Sequence, residues 1–98
     1  VVDDVWATIG STNLVFSSFQ GDTEMNLSFW DVPSGGSAVR ALRVRQVDEQ
    51  GGFDSSAMDG REAVARLMEV ARSNAAARVA GEGWAGFACA IDPAFWAA

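Results

Sequence analysis

The chain has 98 residues with a formal net charge of −6, and 49% of its residues are hydrophobic. That is enough apolar material for a small ordered domain and argues against a disordered chain. An acidic surface repels phosphate backbones, which weighs against a non-specific nucleic-acid binder, and all seven basic residues are Arg, the first being Arg40. The sequence contains no His and no Lys, and its one cysteine, Cys89, can form neither an internal disulfide nor a thiolate zinc cluster. It therefore lacks the side chains that most phosphoryl-transfer and Ser-His chemistry requires. No apolar run reaches the roughly 20 residues of a spanning helix.

In chain order, Val1 and Val2 read as the end of a strand, Asp3 and Asp4 as a turn, and Val5 to Ile9 as a short β-branched and aromatic strand. Gly10 to Asn13 is a loop, and Leu14 to Phe19 has room for one helical turn. Glu24 to Trp30 alternates, with Met25, Leu27 and Phe29 on one face and Asn26 and Ser28 on the other. Trp30 breaks that alternation, which predicts burial on both faces near the strand end. Both Trp6 and Trp30 are expected in the core rather than on a substrate platform.

Pro33 to Ser37 reads as a loop, with Ser37 as N-cap of a helix over Ala38 to about Glu49. Val39, Leu42 and Gln46 form one stripe of that helix, with Ala41, Val44 and Val47 beside it and Arg40, Arg43 and Arg45 on other faces. Gly51 and Gly52 end it. Asp59 followed by Glu62 is a capping box that opens the strongest helix, Arg61 to about Val79. Its apolar stripe is Ala63, Val64, Leu67, Met68, Val70 and Ala71. Gly81 or Gly83 stops it. The tail from Trp84 to Ala98 is expected to pack on the body, since Trp84, Phe87, Phe95 and Trp96 would otherwise face water. Strands first and helices after predict an α/β or α+β layering, with residues 1–31 holding the motif strands and loop, 38–50 and 61–80 the helices, and 84–98 the tail.

The opening carries one pattern of specific spacing. Asp3 is followed by six residues and then Gly10-Ser11-x-Asn13; Ser18 comes five residues later and Glu24 six after that. This string resembles the second half of the phospholipase D superfamily signature, H-x-K-x4-D-x6-G-S-x-N. The continuation Ser18-Phe19-x4-Glu24-x-Asn26 is similar to cardiolipin synthases and related bacterial phospholipases. The segment VRALRVRQVDEQGG looks like the helix that follows the motif in that superfamily. One position departs from the pattern: members often carry Arg before the Ser, where this chain has Ser17.

The resemblance implies the C-terminal part of a phospholipase D-type domain, a mixed sheet between helical layers. It implies a phosphodiesterase acting on phospholipid at a membrane surface through a phosphohistidine, without metal or cofactor. In the motif His and Lys stand seven and five residues before the Asp, so counting back from Asp3 both fall before Val1. The expectation is a fragment whose partner is the remainder of the enzyme, carrying the other motif and the missing His and Lys.

Within that reading Asn13 donates its amide to a non-bridging phosphate oxygen, and Gly10 lets the backbone approach closely. Ser11 donates to phosphate or holds the neighbouring imidazole, with a plain turn role nearly equal in weight. Glu24 orients the missing His, and Asp3 supports the turn. Exposed N–H groups of the loop offer a small anion nest. A phosphatidyltransferase uses the same site with a different acceptor. A non-catalytic module docking through its aromatic tail is the alternative from another class.

Overall fold

A computed structural model describes residues 1–31 and 37–95. The elements run β1 (Trp6–Gly10), α1 (Phe16–Gln20), β2 (Asn26–Trp30), α2 (Ala38–Gly51) and α3 (Gly60–Ala80), followed by a short 3-10 turn over Pro93–Phe95. The protein is thus mixed α/β, with a two-stranded antiparallel sheet. It divides into two compact units, Val1–Ala41 and Leu42–Ala98. Of the sequence expectations above, those for residues 32–36 and 96–98 lie outside the described residues.

In the first unit the Asp-Asp turn forms as its chemistry dictates. Asp3 and Asp4 both adopt left-handed backbone, with φ of 51° and 54°. The Val5 N–H donates to the Val2 carbonyl at 3.0 Å, and Val2 bridges Trp6. Asp is among the few side chains that accept such backbone, and two successive positive φ values give the twist that a hairpin turn needs. Arg40 reaches back to Asp4 at 3.6 Å.

The strands pair Trp6 with Trp30, Thr8 with Ser28 and Gly10 with Asn26 on one face, and Ala7 with Phe29 and Ile9 with Leu27 on the other. The Ser28 hydroxyl donates to Thr8 Oγ1 at 3.2 Å across the ladder. Only Ala7 is fully buried in this sheet, and Phe29 is partly so. Trp6 remains 38% exposed and Trp30 68%, which corrects the expectation that both enter the core. A two-stranded sheet has too little area to cover two indoles, and the face that carries Trp6 and Trp30 is exposed along its length.

At the end of β2, Asp31 caps the next helix from a distance. Its two carboxylate oxygens accept the N–H groups of Ala38 and Val39, each at 3.1 Å. These are two of the donors that any helix start leaves unsatisfied. The side-chain cap expected of Ser37 is supplied here by Asp31, six residues before it.

In the buried stripe of α2 are Val39, Arg43 and Val47, spaced four apart. Gln46 and Ala41 are exposed, so the apolar face predicted for this helix is rotated. Arg43, expected on an outer face, is 7% exposed and donates through Nη2 to the Met58 carbonyl at 3.1 Å. A long Arg stem packs as an apolar group while its head finds a carbonyl, so position 43 can lie between two valines.

The second unit is organised by α3. Asp59 accepts the Glu62 N–H at 2.8 Å, and the Glu62 side chain accepts the Asp59 N–H at 3.4 Å. Gly81, with φ of 71°, closes the far end in the left-handed form. The buried face is Ala63, Val70 and Asn74, with Leu67 between, whereas Val64 and Met68 stay about half exposed. Asn74 replaces an apolar residue at the position where the tail docks. Its Nδ2 donates to the carbonyls of Ala85 and Ala88, both at 2.7 Å, and its Oδ1 accepts the Ala85 N–H at 3.0 Å. The Gln50 carbonyl accepts from Phe87 and Ala88, both at 2.8 Å. The tail is therefore held by main-chain bonds, while Trp84 and Phe87 remain 44% and 69% exposed. The burial expected of those two rings does not occur.

Candidate functional site

The loop that leaves β1 and the strand that returns as β2 face each other across the ladder, so residues far apart in sequence meet here. The 3.0 Å bond from the Ser11 N–H to the Met25 carbonyl extends the ladder by one step. Beyond it the chain turns through Thr12 and Asn13 into α1. That helix is one turn long, and the hydroxyl of Ser18, the buried residue of the turn, points back into the loop. Ser18 Oγ accepts the Asn13 N–H at 3.3 Å and donates to Glu24 Oε1 at 2.8 Å. One hydroxyl thus joins the loop backbone to the carboxylate, using both its lone pair and its proton.

Ser11 supports the same carboxylate. Its Oγ accepts the Met25 N–H at 3.0 Å and lies 3.4 Å from the Met25 carbonyl. The second contact is long for an O–H donor, so the firm bond of Ser11 is the one it accepts from Met25. Hydrogen bonding from Ser11, and then from Ser18, holds the Glu24 carboxyl below its ordinary value of 4.5. Both bonds favour the charged form, and a half-exposed position costs it little hydration. Glu24 is consequently a carboxylate at neutral pH, with one oxygen held at 2.8 Å by the Ser18 hydroxyl.

Gly10 has a concrete steric role. A Cβ on it would run into Oδ1 of Asn26, its partner across the ladder, and would also press on the Met25 carbonyl. The Asn26 side chain fills that space to reach the loop: its Nδ2 donates to Thr12 Oγ1 at 2.7 Å, and its Oδ1 lies 3.5 Å from the Thr12 N–H. The close approach that Gly10 allows is therefore made by Asn26, within the chain itself. The backbone donors of Ser11, Thr12 and Asn13 all face internal acceptors, at Met25, Asn26 and Ser18 respectively. The anion nest expected of this loop is closed.

The two asparagines of the loop region differ sharply. Asn26 spends its carboxamide on Thr12. The carboxamide of Asn13 is on an exposed residue and makes no hydrogen bond among the described residues. Two donors and an acceptor are thereby available at the rim of a fixed carboxylate. Asp3 lies in the Asp-Asp turn before β1, away from this hydrogen-bonded cluster. Around the site the apolar side chains are open to solvent, with Leu14 95% exposed, Phe16 76% and Met25 81%.

Ser18, Thr12 and Asn26 complete the network and were not among the residues singled out for chemistry in the sequence. Ser18 had a usable signal in its fixed spacing from Asn13 and Glu24. Asn26 had none until its register opposite Gly10 was known. No group of three or more His, Cys, Asp or Glu residues among those described is arranged to hold a metal ion. No family model matches the chain, and neither a curated protein nor a solved structure matches it.

Proposed function

We propose that this chain contributes one half of a phosphodiesterase site of the phospholipase D type, in which β1, β2 and their loop belong to a mixed sheet between helical layers. The observation that carries the reading is the contrast within one loop. Glu24 is bonded by the Ser18 hydroxyl at 2.8 Å and its carboxyl is held ionised, while the adjacent Asn13 keeps its carboxamide uncommitted. A fixed carboxylate is what an imidazole needs in order to hold one tautomer and gain basicity. An unengaged amide is a neutral donor for a non-bridging phosphate oxygen.

The chain itself has no imidazole or ammonium group, so the nucleophilic His and the phosphate-binding Lys come from other polypeptide. In the assembled site that His attacks phosphorus and expels the alcohol, and water or a second alcohol then takes the phosphoryl group from it. Splitting one displacement into two steps, with charge neutralised at phosphorus, is the physical advantage. Glu24 accepts the imidazole N–H and stabilises the imidazolium, Asn13 binds the phosphate, and Ser11 and Ser18 keep Glu24 in place. Phospholipid at a membrane surface is the substrate class, no metal or cofactor takes part, and the acidic composition disfavours nucleic acid.

The test is to assay the 98-residue chain alone and then together with a polypeptide supplying the His-x-Lys half of the motif, using choline-labelled phosphatidylcholine. The chain alone is expected to be inactive. The combination is expected to release choline, and Asn13→Ala and Glu24→Gln are each expected to cut that rate at least tenfold. Turnover by the isolated chain would overturn the assignment. A product carrying two lipid tails would make the enzyme a phosphatidyltransferase. Silence together with tight binding of a protein partner would make it a docking module.

A further inference from the structure

The second unit contains a cavity that the phosphodiester reading does not use. It has a volume of about 560 Å3 and lies between the last turns of α3 and the segment after the docked tail. Pockets that bury small ligands span roughly 300–1,000 Å3 and combine apolar walls with a few polar groups. This one has that size and mixed lining but is an open groove, with Val79 91% and Ile91 69% exposed. Val79, Trp84 and Ile91 supply apolar surface, and Arg78 and Asp92 are its two charged lining residues.

Those two charges are opposite in sign, share one cavity and do not pair with each other. The Arg78 guanidinium has no hydrogen-bond or ion-pair partner among the described residues. Asp92 uses Oδ1 to accept the Ala94 N–H at 2.9 Å, which fixes the carboxylate and leaves its other oxygen open. A guanidinium and a carboxylate that line one groove without pairing are complementary to a molecule carrying both charges. A single anion would meet Asp92, and a single cation would meet Arg78. An uncharged apolar ligand would leave both charges without a partner.

We propose that this cavity binds a small zwitterion with an apolar body, its anionic group on Arg78, its cationic group on Asp92 and its apolar part against Val79, Trp84 and Ile91. Trp84 adds an aromatic wall that favours a cation or a ring. The chemistry is shared by free apolar amino acids and by the zwitterionic head groups of amphiphiles. The inference is independent of the loop at Asn13 and Glu24.

Calorimetric titration of the full chain tests it with two probes, L-phenylalanine for the free amino acid and dodecylphosphocholine below its micelle-forming concentration for the head group. Saturable binding of at least one, with a Kd of about 1 mM or tighter, is expected. The probe that binds identifies the source. Phenylpropanoate and phenethylamine, which each carry one of the two charges, are expected to bind at least tenfold more weakly than L-phenylalanine if the amino acid is the ligand. Arg78→Gln and Asp92→Asn are each expected to weaken the bound probe at least tenfold. The second substitution retains the oxygen that accepts from Ala94.

Cys89 gives a local readout, because this one cysteine also lines the cavity. Bound probe should slow its alkylation by iodoacetamide several-fold, and should not do so in Arg78→Gln at the same concentration. Absence of saturable binding by both probes overturns the proposal. So does binding that is indifferent to both substitutions, or that leaves the alkylation rate of Cys89 unchanged.

Discussion

The Ser18 hydroxyl donates to Glu24 across 2.8 Å while accepting the Asn13 N–H at 3.3 Å, so one buried side chain sets both the loop and the carboxylate. Replacing it removes two bonds at once and leaves the Asn13 donor without its acceptor. Ser18→Ala is expected to destabilise the first unit by about 1–2 kcal/mol. It is also expected to raise the Glu24 pKa toward its ordinary value. Denaturant unfolding and a carboxyl-carbon NMR titration check the two effects together. An unchanged Glu24 titration would show that Ser11 alone holds the carboxylate.

The depressed pKa of Glu24 has a direct consequence for acid stability. A carboxyl whose folded pKa lies below its unfolded one stabilises the fold above the unfolded value, and that contribution is lost as pH falls through the folded pKa. Asp54 acts in the same sense, its carboxyl lowered by hydrogen bonds from the Ser56 hydroxyl and then the Ser56 N–H. Stability is therefore expected to fall on acidification from about pH 5 downward. Ser18→Ala is expected to flatten that fall in the first unit. Melting curves recorded between pH 3 and pH 7 for both proteins test the comparison.

Gly10→Ala is expected to cost about 1–3 kcal/mol, because the new methyl group must displace the Asn26 carboxamide and strain the strand beside Met25. Asn26→Ser removes the displaced group. The double substitution should therefore cost less than the sum of the two single ones, a coupling readable in a double-mutant cycle. Strict additivity would mean that Asn26 is not what excludes a side chain at position 10.

Asn74→Leu keeps the size of the side chain and deletes three hydrogen bonds to the tail. The Ala85 N–H and the Ala88 carbonyl are then left without partners. Amide exchange at Ala85, Phe87 and Ala88 should accelerate at least tenfold, while protection in the middle of α3 changes little. Equal acceleration along α3 would mean that the tail and helix open as one unit.

Truncation of the helix cap gives a smaller, well-bounded effect. Asp59→Ala removes the acceptor for the Glu62 N–H at 2.8 Å and should cost about 1 kcal/mol. Asp59→Asn, which can still cap, should recover most of it in the same thermal melt.

What was readable in the sequence followed from local chemistry. The Asp59-x-x-Glu62 box and the Gly81 stop bound α3 because capping depends on residues three or four apart. The Asp3-Asp4 turn was readable because few side chains accept two left-handed residues in succession. That Ser11, Asn13 and Glu24 share one site was expected only through the family resemblance, and the residue that joins Asn13 to Glu24 was not expected. Burial could not be read in the same way. Arg43 lies inside and Trp30 outside because each depends on which face a neighbouring element covers, and periodicity names a stripe without naming its cover. Asn74 is the sharpest case: a polar residue at a buried position is explained only by the carbonyls it meets, and those lie 11 and 14 residues away.

The docking of the tail also bears on how the sequence can vary. Between Ala85 and Ala90 the contacts made with Asn74, Gln50 and Ala71 use peptide groups, which every residue type except proline provides in full. Gly86 is the exception, since its left-handed φ of 59° and its closeness to the backbone at Gln50 and Gly52 leave no room for a side chain. A saturation library across this stretch should therefore keep the chain folded at nearly every position while rejecting change at 86. Two proteins sharing this architecture could look unrelated along the whole segment.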